Sequence, residues 1–287
     1  FPQGVICVLL REFAAPRPGI FTKIGLKTFI DPRQTGGRMN ARTTEPLVEL
    51  LTLDGEEWLR YKSLPVHVGL IHATYADVRG NLSMDCEGII GEVLPIAQAA
   101  RNSGGIVIAQ VESVVDRIAD PKSVRVPGIL VDYIVTSGGL MHAQTFGTDF
   151  EEAFVVSADA TEALEALGFS ERKIIGRRAL AEIRQGDIVN LGIGLPEAVA
   201  AVAAETGRLR EFTLTVESGP IGGVPASCEN FGCSYFPEAV IDQPSQFDFY
   251  DGGGIDVAVL GAVEVDEEGS VNVSQFAGRF AGVGGFV

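Results

Sequence analysis

Residues 188–223 read IVNLGIGLPEAVAAVAAETGRLREFTLTVESGPIGG. Within this stretch an apolar run (188–191) precedes a glycine loop, and an alanine-rich run (197–205) precedes a second apolar run (213–216). The two runs with β-branched residues predict strands, and the alanine-rich run predicts a helix. Two strands joined by one helix form a parallel pair within a sheet. The stretch therefore predicts an α/β fold.

The same alternation extends over the rest of the chain. The other predicted elements are strands over 6–10, 22–30, 66–74 and 106–108 and helices over 87–102 and 171–184. Strands separated by helices are typical of open sheets in which most strands are parallel. We therefore expect mostly parallel sheets with helices packed against them.

An internal repeat relates the two halves of the chain. The segment HVGLIHATYADVRGNLS (67–83) aligns with DVAVLGAVEVDEEGSVN (256–272), so that Gly80 coincides with Gly269. Each copy is an apolar run, an Asp-x-x-Gly turn and a second short apolar run. This pattern is typical of a hairpin in which glycine takes a positive φ. The repeat predicts two tandem, related open α/β domains.

The predicted domains are residues 1–150 and residues 151–287, with a linker rich in Gly, Ser and Thr over 136–150. The second copy of the repeat stops at Val287, which the alignment places at Pro95, inside a predicted helix of the first domain. The first copy lacks the strand and helices that precede the second. The repeat therefore predicts a sequence truncated at both ends.

Composition excludes several classes of partner. The 287 residues carry a formal net charge of -16, which would repel a phosphate backbone, so no nucleic acid is expected. No stretch approaches the roughly 18 apolar residues that a membrane span needs. The four cysteines form no CxxC pair, and the three histidines show no HxxxH or HExxH spacing. We expect reduced thiols, a cytoplasmic protein and no zinc site.

Glu217 is the strongest candidate for a reactive group. It follows the predicted strand 213–216, whose carboxyl end would lie beside the end of strand 188–191. A carboxylate at the end of an apolar strand, among glycines, is suited to act as a nucleophile or a general base. The alternative from the residues alone is a carboxylate that caps backbone N–H groups.

Glycine clusters accompany this carboxylate. The loop Gly192–Pro196 lies between a strand and a helix, where free N–H groups would bind an oxyanion, although a simple tight turn is the alternative. Gly252–Gly254 and Gly282–Gly285 suggest a cavity walled by backbone, against the alternative of loop flexibility. The GxGxxG nucleotide motif fails, because its third glycine is Glu197.

Other polar residues are given structural roles. Asp77 and Asp266 are expected to hold their turns, and His72, in a strand beside apolar residues, is expected to be a core histidine rather than a base. Cys228 and Cys233 have no cationic neighbour in the sequence that would lower the pKa of either thiol.

Several of these motifs together resemble those of family I CoA-transferases, especially the single-chain acetate/propionate CoA-transferases. The similar segments are Gly192–Pro196, Glu217–Gly223, Phe247–Gly254 and Gly284–Phe286 in the second half and Thr22–Gly25, Thr28–Arg33 and Gly105–Val111 in the first. The resemblance runs from end to end of the chain. A departure is His72, where family members usually carry Arg.

The resemblance implies a ping-pong transfer of CoA between short-chain carboxylic acids through a glutamyl-CoA thioester on Glu217. Acyl-CoA and small carboxylates would be the substrates, with no cofactor or metal, and the protein would be a homo-oligomer. The residues that the resemblance assigns to oxyanion or CoA binding are Gly192, Ile193, Gly194, Leu195, Pro196, Gly253, Gly254, Gly284 and Gly285. Those assigned to the substrate pocket are Gln110, Gly219 and Gly222.

Two other functions remain open at this point. An acyl-CoA hydrolase needs the same site with water admitted to the glutamyl-CoA. A non-catalytic module that binds CoA or a carboxylate would keep the fold, but it would have no need for Glu217.

Overall fold

The computed structural model of the chain describes residues 1–137, 142–160, 164 and 166–281. Within these residues the α-helices are α1 Gln3–Ala14, α2 Val93–Asn102, α3 Glu171–Leu180, α4 Ala198–Glu205 and α5 Gln243–Asp251. The first ten strands are β1 Gly19–Thr22, β2 Val48–Leu53, β3 Glu56–Lys62, β4 Val68–Asp77, β5 Leu82–Ser83, β6 Ile106–Val115, β7 Val124–Val126, β8 Tyr133–Thr136, β9 Ile188–Leu191 and β10 Thr213–Thr215. The remaining strands are β11 Pro220–Ile221, β12 Val224–Pro225, β13 Ser234–Tyr235, β14 Ala239–Val240, β15 Val257–Val259, β16 Glu264–Val265, β17 Val271–Asn272, β18 Gln275–Phe276 and β19 Arg279–Phe280.

The chain forms two compact units. One consists of residues 1–70, 94–107 and 262–287, and the other of residues 71–93 and 108–261. The predicted division of the chain near residue 150 stays a prediction.

The first unit contains α1 and the antiparallel sheet β1-β3-β2. Its core is formed by Val5 and Leu9 of α1 with Leu59 and Tyr61 of β3, all of them buried. The Tyr61 hydroxyl donates to the Ile24 carbonyl at 2.8 Å, so that this buried phenol is satisfied. The helix and the sheet therefore pack around one hydrophobic core.

Two predictions for the first unit are wrong. Residues 6–10 belong to α1, because a short apolar run fits a helix or a strand equally well and here it buries Val5 and Leu9 one turn apart. The strand predicted over 22–30 ends at Thr22. Beyond it the chain turns around the buried Asp31, whose carboxylate accepts hydrogen bonds from Lys27 N and from the Arg33 backbone and guanidinium.

The second unit carries the sheet that positions Glu217. Its strand order is β14-β11-β10-β9-β15. Strands β10 and β15 both pair in parallel with β9, with Thr215 opposite Asn190 and Val259 opposite Leu191. Strands β11 and β14 add antiparallel pairs at one edge. The α/β class is confirmed, but the sheet is mixed, with its parallel pairs confined to three neighbouring strands.

Helices α3 and α4 cover this sheet. The core includes Leu180 of α3, Val189 and Leu191 of β9, and Val199 and Val202 of α4. Strand β9 has the predicted bounds, and α4 begins one residue after its predicted start, behind the turn at Leu195–Glu197. Strand β9 and helix α4 therefore form as the pattern of residues 188–223 predicts.

The second five-stranded sheet, β7-β5-β4-β6-β8, contains the first copy of the repeat. Strand β6 pairs in parallel with β8, whereas β5 pairs antiparallel with β4 and β7. The helix predicted over 87–102 begins only at Val93, because Gly88 and Gly91 precede it and Gly91 has a positive φ of 62°. Residues 84–92 are therefore a loop.

The two copies of the repeat form the same turn. In the first, the Asp77 carboxylate accepts hydrogen bonds from Arg79 N at 2.9 Å and Asn81 N at 3.0 Å. In the second, the Asp266 carboxylate accepts from Glu268 N at 3.0 Å and Ser270 N at 2.8 Å. The prediction that these aspartates hold their turns is confirmed.

Among the described residues, none of the helices combines the length and the apolar character that crossing a bilayer requires.

Candidate active site

Glu217 lies in a tight turn at the carboxyl edge of the central strands. The turn follows β10 and is closed by hydrogen bonds from Val216 N to Pro220 O at 2.9 Å and from Gly219 N to Val216 O at 3.0 Å. Ser218 is buried and donates its hydroxyl to Gly232 O. The Glu217 side chain is half-buried. The turn therefore fixes the backbone on both sides of the carboxylate.

The loop Gly192–Pro196 starts at the same edge of the sheet. Because β9 and β10 are parallel neighbours, the loop after β9 and the turn after β10 leave the sheet side by side. This is the arrangement that the sequence predicts. Gly192 lies so close to β15 that an added Cβ would meet Leu260 at 3.2 Å.

Hydrogen bonds inside the protein occupy two N–H groups of this loop. Gly192 N donates to Val259 O at 2.9 Å, and Gly194 N donates to Glu197 Oε1 at 2.8 Å. The N–H groups of Ile193 and Leu195 have no partner among the described residues, and their side chains are 59% and 51% exposed. Pro196 is buried and has no N–H to donate. Ile193 and Leu195 are therefore the donors that this loop can offer to an oxyanion.

Four polar side chains form a network beside Glu217. The Tyr250 hydroxyl donates to Thr215 Oγ1 at 2.7 Å and accepts from Gln246 Nε2 at 3.0 Å and Asn190 Nδ2 at 3.4 Å. The Asn190 amide also hydrogen-bonds to the Glu217 carboxylate. The network joins β9, β10 and α5, so residues from three elements fix the environment of the carboxylate. Asn190 and Tyr250 were not predicted as site residues, although they lie within 188–223 and Phe247–Gly254.

The surroundings of Glu217 favour its protonated form more than bulk water would. Burial raises the pKa of the Glu217 carboxyl, against hydrogen bonds from its own backbone and from Asn190 that lower it. The pKa of the Tyr250 hydroxyl is raised by burial and by the charge of Glu217. Ionised Glu217 is thus a poorly solvated anion, and poor solvation makes a carboxylate a better nucleophile.

This shift predicts how stability depends on pH. Because the pKa of Glu217 is higher in the folded chain than in the unfolded chain, ionisation costs stability as pH rises through the folded pKa. We expect Glu217→Gln to melt at a higher temperature than the parent at about pH 8 and at nearly the same temperature at about pH 4. Differential scanning calorimetry across this range measures the difference. Glu229→Gln, at an exposed residue, should show no such trend. A difference in melting temperature between Glu217→Gln and the parent that does not grow with pH would contradict the raised pKa of Glu217.

Comparisons with known proteins show what this chain is similar to. The model of the coenzyme A transferase family matches residues 1–137. Over 294 residues the chain is 50% identical to a caffeate CoA-transferase of Acetobacterium woodii, covering all of this chain and 56% of that protein. Over 291 residues it is 42% identical to acetate CoA-transferase YdiF of Escherichia coli K12, covering all of this chain and 54% of YdiF. The crystal structure of the YdiF apoenzyme from E. coli O157:H7 matches with a TM-score of 0.90 at 41% identity, over all of this chain and 54% of that chain.

Over its whole length the chain is similar to proteins named CoA-transferases. The resemblance inferred from the sequence motifs is confirmed, as is the fold class. The chain spans about half the length of the curated relatives that it matches.

The remaining predicted site residues have varied surroundings. Gly219 has a φ of 127° and donates within the Glu217 turn, whereas Gly222 donates its N–H to Leu214 O at 2.8 Å. Gly222 also lines a cavity of about 380 Å³ with Phe236 and Glu238. Gln110 is half-buried on β6, in the other five-stranded sheet. The pocket roles of these three residues stay predictions.

Gly253 and Gly254 end helix α5. Gly253 N donates to Tyr250 O and Gly254 N donates to Phe249 O, both at 2.9 Å, and Gly253 has a φ of 88°. This is the bonding pattern of a Schellman motif, which satisfies the last carbonyls of a helix. Both N–H groups therefore already donate to carbonyls of α5. The expectation that they serve as oxyanion donors does not fit this geometry. Gly284 and Gly285 lie outside the described residues.

The cysteines are all free thiols in this structure. Cys233 is buried, and burial raises the pKa of its thiol to about 12. Burial also raises the pKa of the Cys86 thiol. These shifts disfavour the thiolate of both cysteines.

A second polar cluster lies around Glu87. The sequence pattern did not predict it. His72 is not a core histidine, since its side chain is 38% exposed and its Nδ1 lies 3.1 Å from Glu87 Oε2. His142 Nε2 lies 3.3 Å from Glu87 Oε1. We call His72, Glu87 and His142 the His–Glu–His cluster. No spacing rule would have found it, because its members are 15 and 55 residues apart.

Proposed function

We propose that this protein transfers CoA between carboxylic acids and that Glu217 is the nucleophile. The observation that carries the proposal is the place of Glu217: a half-buried carboxylate at the carboxyl edge of parallel strands. It lies beside a loop in which two N–H groups have no partner among the described residues. The family and the relatives named CoA-transferases support it. Further support comes from an E. coli YdiF crystal structure, 40% identical to this chain, that is described as a thioester complex with CoA.

The proposed reaction begins with formation of a mixed anhydride. A Glu217 carboxylate oxygen attacks the carbonyl carbon of an acyl-CoA, a C–O bond forms, and the C–S bond breaks to release CoA as a thiolate. The thiolate sulfur then attacks Cδ of Glu217. A C–S bond forms there, the anhydride C–O bond breaks, and the first acid leaves as a carboxylate. The enzyme is left as a glutamyl-CoA thioester.

A second acid completes the cycle by the reverse steps. Its carboxylate attacks Cδ of the thioester and displaces the CoA thiolate, which then attacks the acyl carbonyl of the new anhydride. The new acyl-CoA departs and the Glu217 carboxylate is restored. Each step carries negative charge onto a carbonyl oxygen, and N–H donors such as Ile193 and Leu195 would stabilise it. Exclusion of water protects the anhydride and the thioester from hydrolysis.

The proposal also covers the substrates, the cellular location and the oligomeric state. The substrates are acyl-CoA and small carboxylic acids, short-chain acids first, and no cofactor or metal takes part in the transfer steps. The protein acts in the cytoplasm as a homo-oligomer. Caffeate enters as a second class of acceptor acid to test, because the relative that is 50% identical is named a caffeate CoA-transferase.

Acid-dependent exchange of CoA tests the proposed reaction. With acetyl-CoA and propionate, we expect propionyl-CoA to form in step with loss of acetyl-CoA, while free CoA stays low; caffeate is tested in parallel. Liquid chromatography with mass detection follows all three species. Free CoA that accumulates at the same rate without any acceptor acid would instead indicate a hydrolase. A folded sample that forms no new thioester with either acid would contradict the proposal.

A further inference from the structure

The His–Glu–His cluster brings three potential metal ligands to one point. His72 Nδ1 and His142 Nε2 lie 3.1 Å and 3.3 Å from the two oxygens of Glu87. One ligand atom from each residue can be chosen so that all three lie within 4.8 Å of one another. In a tetrahedral zinc site with bonds of about 2.0–2.2 Å, neighbouring ligand atoms are about 3.3 Å apart. Both contacts to Glu87 already have this separation.

Burial of the Glu87 carboxylate favours a cation beside it. The side chains of Glu87 and His142 are only 7% and 9% exposed. A buried carboxylate is costly unless hydrogen-bond donors or a positive charge lie beside it. Besides the two imidazoles, the Thr74 hydroxyl contacts Glu87 and donates to its Oε1 at 3.0 Å. A divalent cation between the three side chains would neutralise the carboxylate.

One further feature fits coordination. A cavity of about 310 Å³ borders the cluster and is lined by Glu87 and His142 together with Cys86 and Glu112. The cavity gives room for water or a small ligand at a fourth coordination position.

The rings of His72 and His142 are stacked, with centroids 4.1 Å apart and an interplanar angle of 22°. A rotation of one ring is needed to direct both nitrogens at a single ion. His72, on β4, is the more exposed of the two rings, so the rotation is assigned to it.

We propose that His72, Glu87 and His142 bind one Zn²⁺ ion, with a fourth position open to the neighbouring cavity. Two imidazoles and one carboxylate suit zinc and similar borderline ions rather than Mg²⁺ or Ca²⁺, which prefer oxygen ligands alone. The site goes beyond the proposed CoA transfer, whose steps through Glu217 do not use the ion. It also replaces the expectation from sequence spacing that no zinc site exists.

Titration of the chain with Zn²⁺ against a chromophoric chelator tests the site without any activity assay. We expect one equivalent to bind, and Co²⁺ in its place to give visible d–d bands without a thiolate charge-transfer band, because no cysteine is a ligand. The result does not depend on CoA transfer, so failure of one proposal leaves the other standing. Absence of a stoichiometric binding event in the folded chain would overturn the zinc site and leave a hydrogen-bonded cluster only.

Variants separate this site from adventitious binding. His72→Arg places a guanidinium beside Glu87 but removes a ligand, so the variant should fold and bind Zn²⁺ at least about 100-fold more weakly. Glu87→Gln should weaken binding by a similar factor, and His72→Arg decides the matter if Glu87→Gln fails to fold. His67→Gln, at an exposed histidine outside the cluster, should bind as the parent does. Full-strength binding in His72→Arg, or binding lost only in Cys228→Ser, would overturn the proposal.

Discussion

Replacing Glu217 by Gln should abolish the covalent intermediate. The amide cannot attack a thioester as the carboxylate does, so we expect CoA exchange to fall by at least about 10⁴-fold. Borohydride added after acetyl-CoA should reduce the glutamyl thioester of the parent to an alcohol, a loss of about 14 Da from the protein mass. Intact mass spectrometry of the parent and the variant measures this loss, which should be missing in Glu217→Gln.

Glu229→Gln is the matched control for this experiment. It makes the same chemical change at an exposed glutamate in the segment that follows the Glu217 turn, and it should lose the same mass as the parent. Circular dichroism of each sample establishes that it is folded. An unchanged mass in a folded parent that binds CoA, or a mass loss that persists in Glu217→Gln, would remove Glu217 as the nucleophile.

Replacing Gly219 by Ala should have the largest effect on stability. Gly219 has a φ of 127°, and an added Cβ would lie 2.0 Å from Ile241 O, a backbone atom that cannot move alone. Relief of this overlap requires the Glu217 turn and β14 to separate, so we expect a loss of about 3 kcal/mol or more. The melting temperature should fall by roughly 6 °C or more in a chain of this size. Thermal and urea unfolding measure the change.

Gly207→Ala isolates the effect of backbone conformation alone. Gly207 also has a positive φ, 71°, but an added Cβ would meet no atom within 4 Å. This variant should lose only about 1–2 kcal/mol, the cost of placing a side chain in the left-handed region. Equal losses in the two variants would mean that the contact with Ile241 relaxes easily and that the turn is not rigid.

Local pattern predicts much of the region around Glu217. Strand β9 has its predicted bounds, and the Asp-x-x-Gly turns form at both copies of the repeat. Local pattern fails where a short apolar run has no periodicity of its own. Residues 6–10 could pair in a sheet or lie on a helix face, and only packing against Leu59 and Tyr61 makes the helix the better burial.

The surroundings of the candidate site could not be predicted in the same way. Tyr250 meets Thr215 across 35 residues of sequence, and His142 meets Glu87 across 55. Such contacts depend on how β10, α5 and the loops after β5 and β8 are packed, which no short window of sequence encodes. The hydrogen bonds from Gly253 N and Gly254 N to α5 could not be predicted either. In sequence, a glycine cluster that binds a ligand looks the same as one that ends a helix.

The sequence by itself determined the alternation of strands and helices, the turns of the repeat and the place of Glu217 at the end of a strand. These depend on interactions between residues near one another in the chain, so local periodicity and turn chemistry suffice to predict them. Only the tertiary structure decided which side chains surround Glu217 and that His72, Glu87 and His142 meet. The physical reason is that burial and long-range packing create these neighbourhoods, and the same packing raises the pKa of Glu217 by taking its carboxylate away from water.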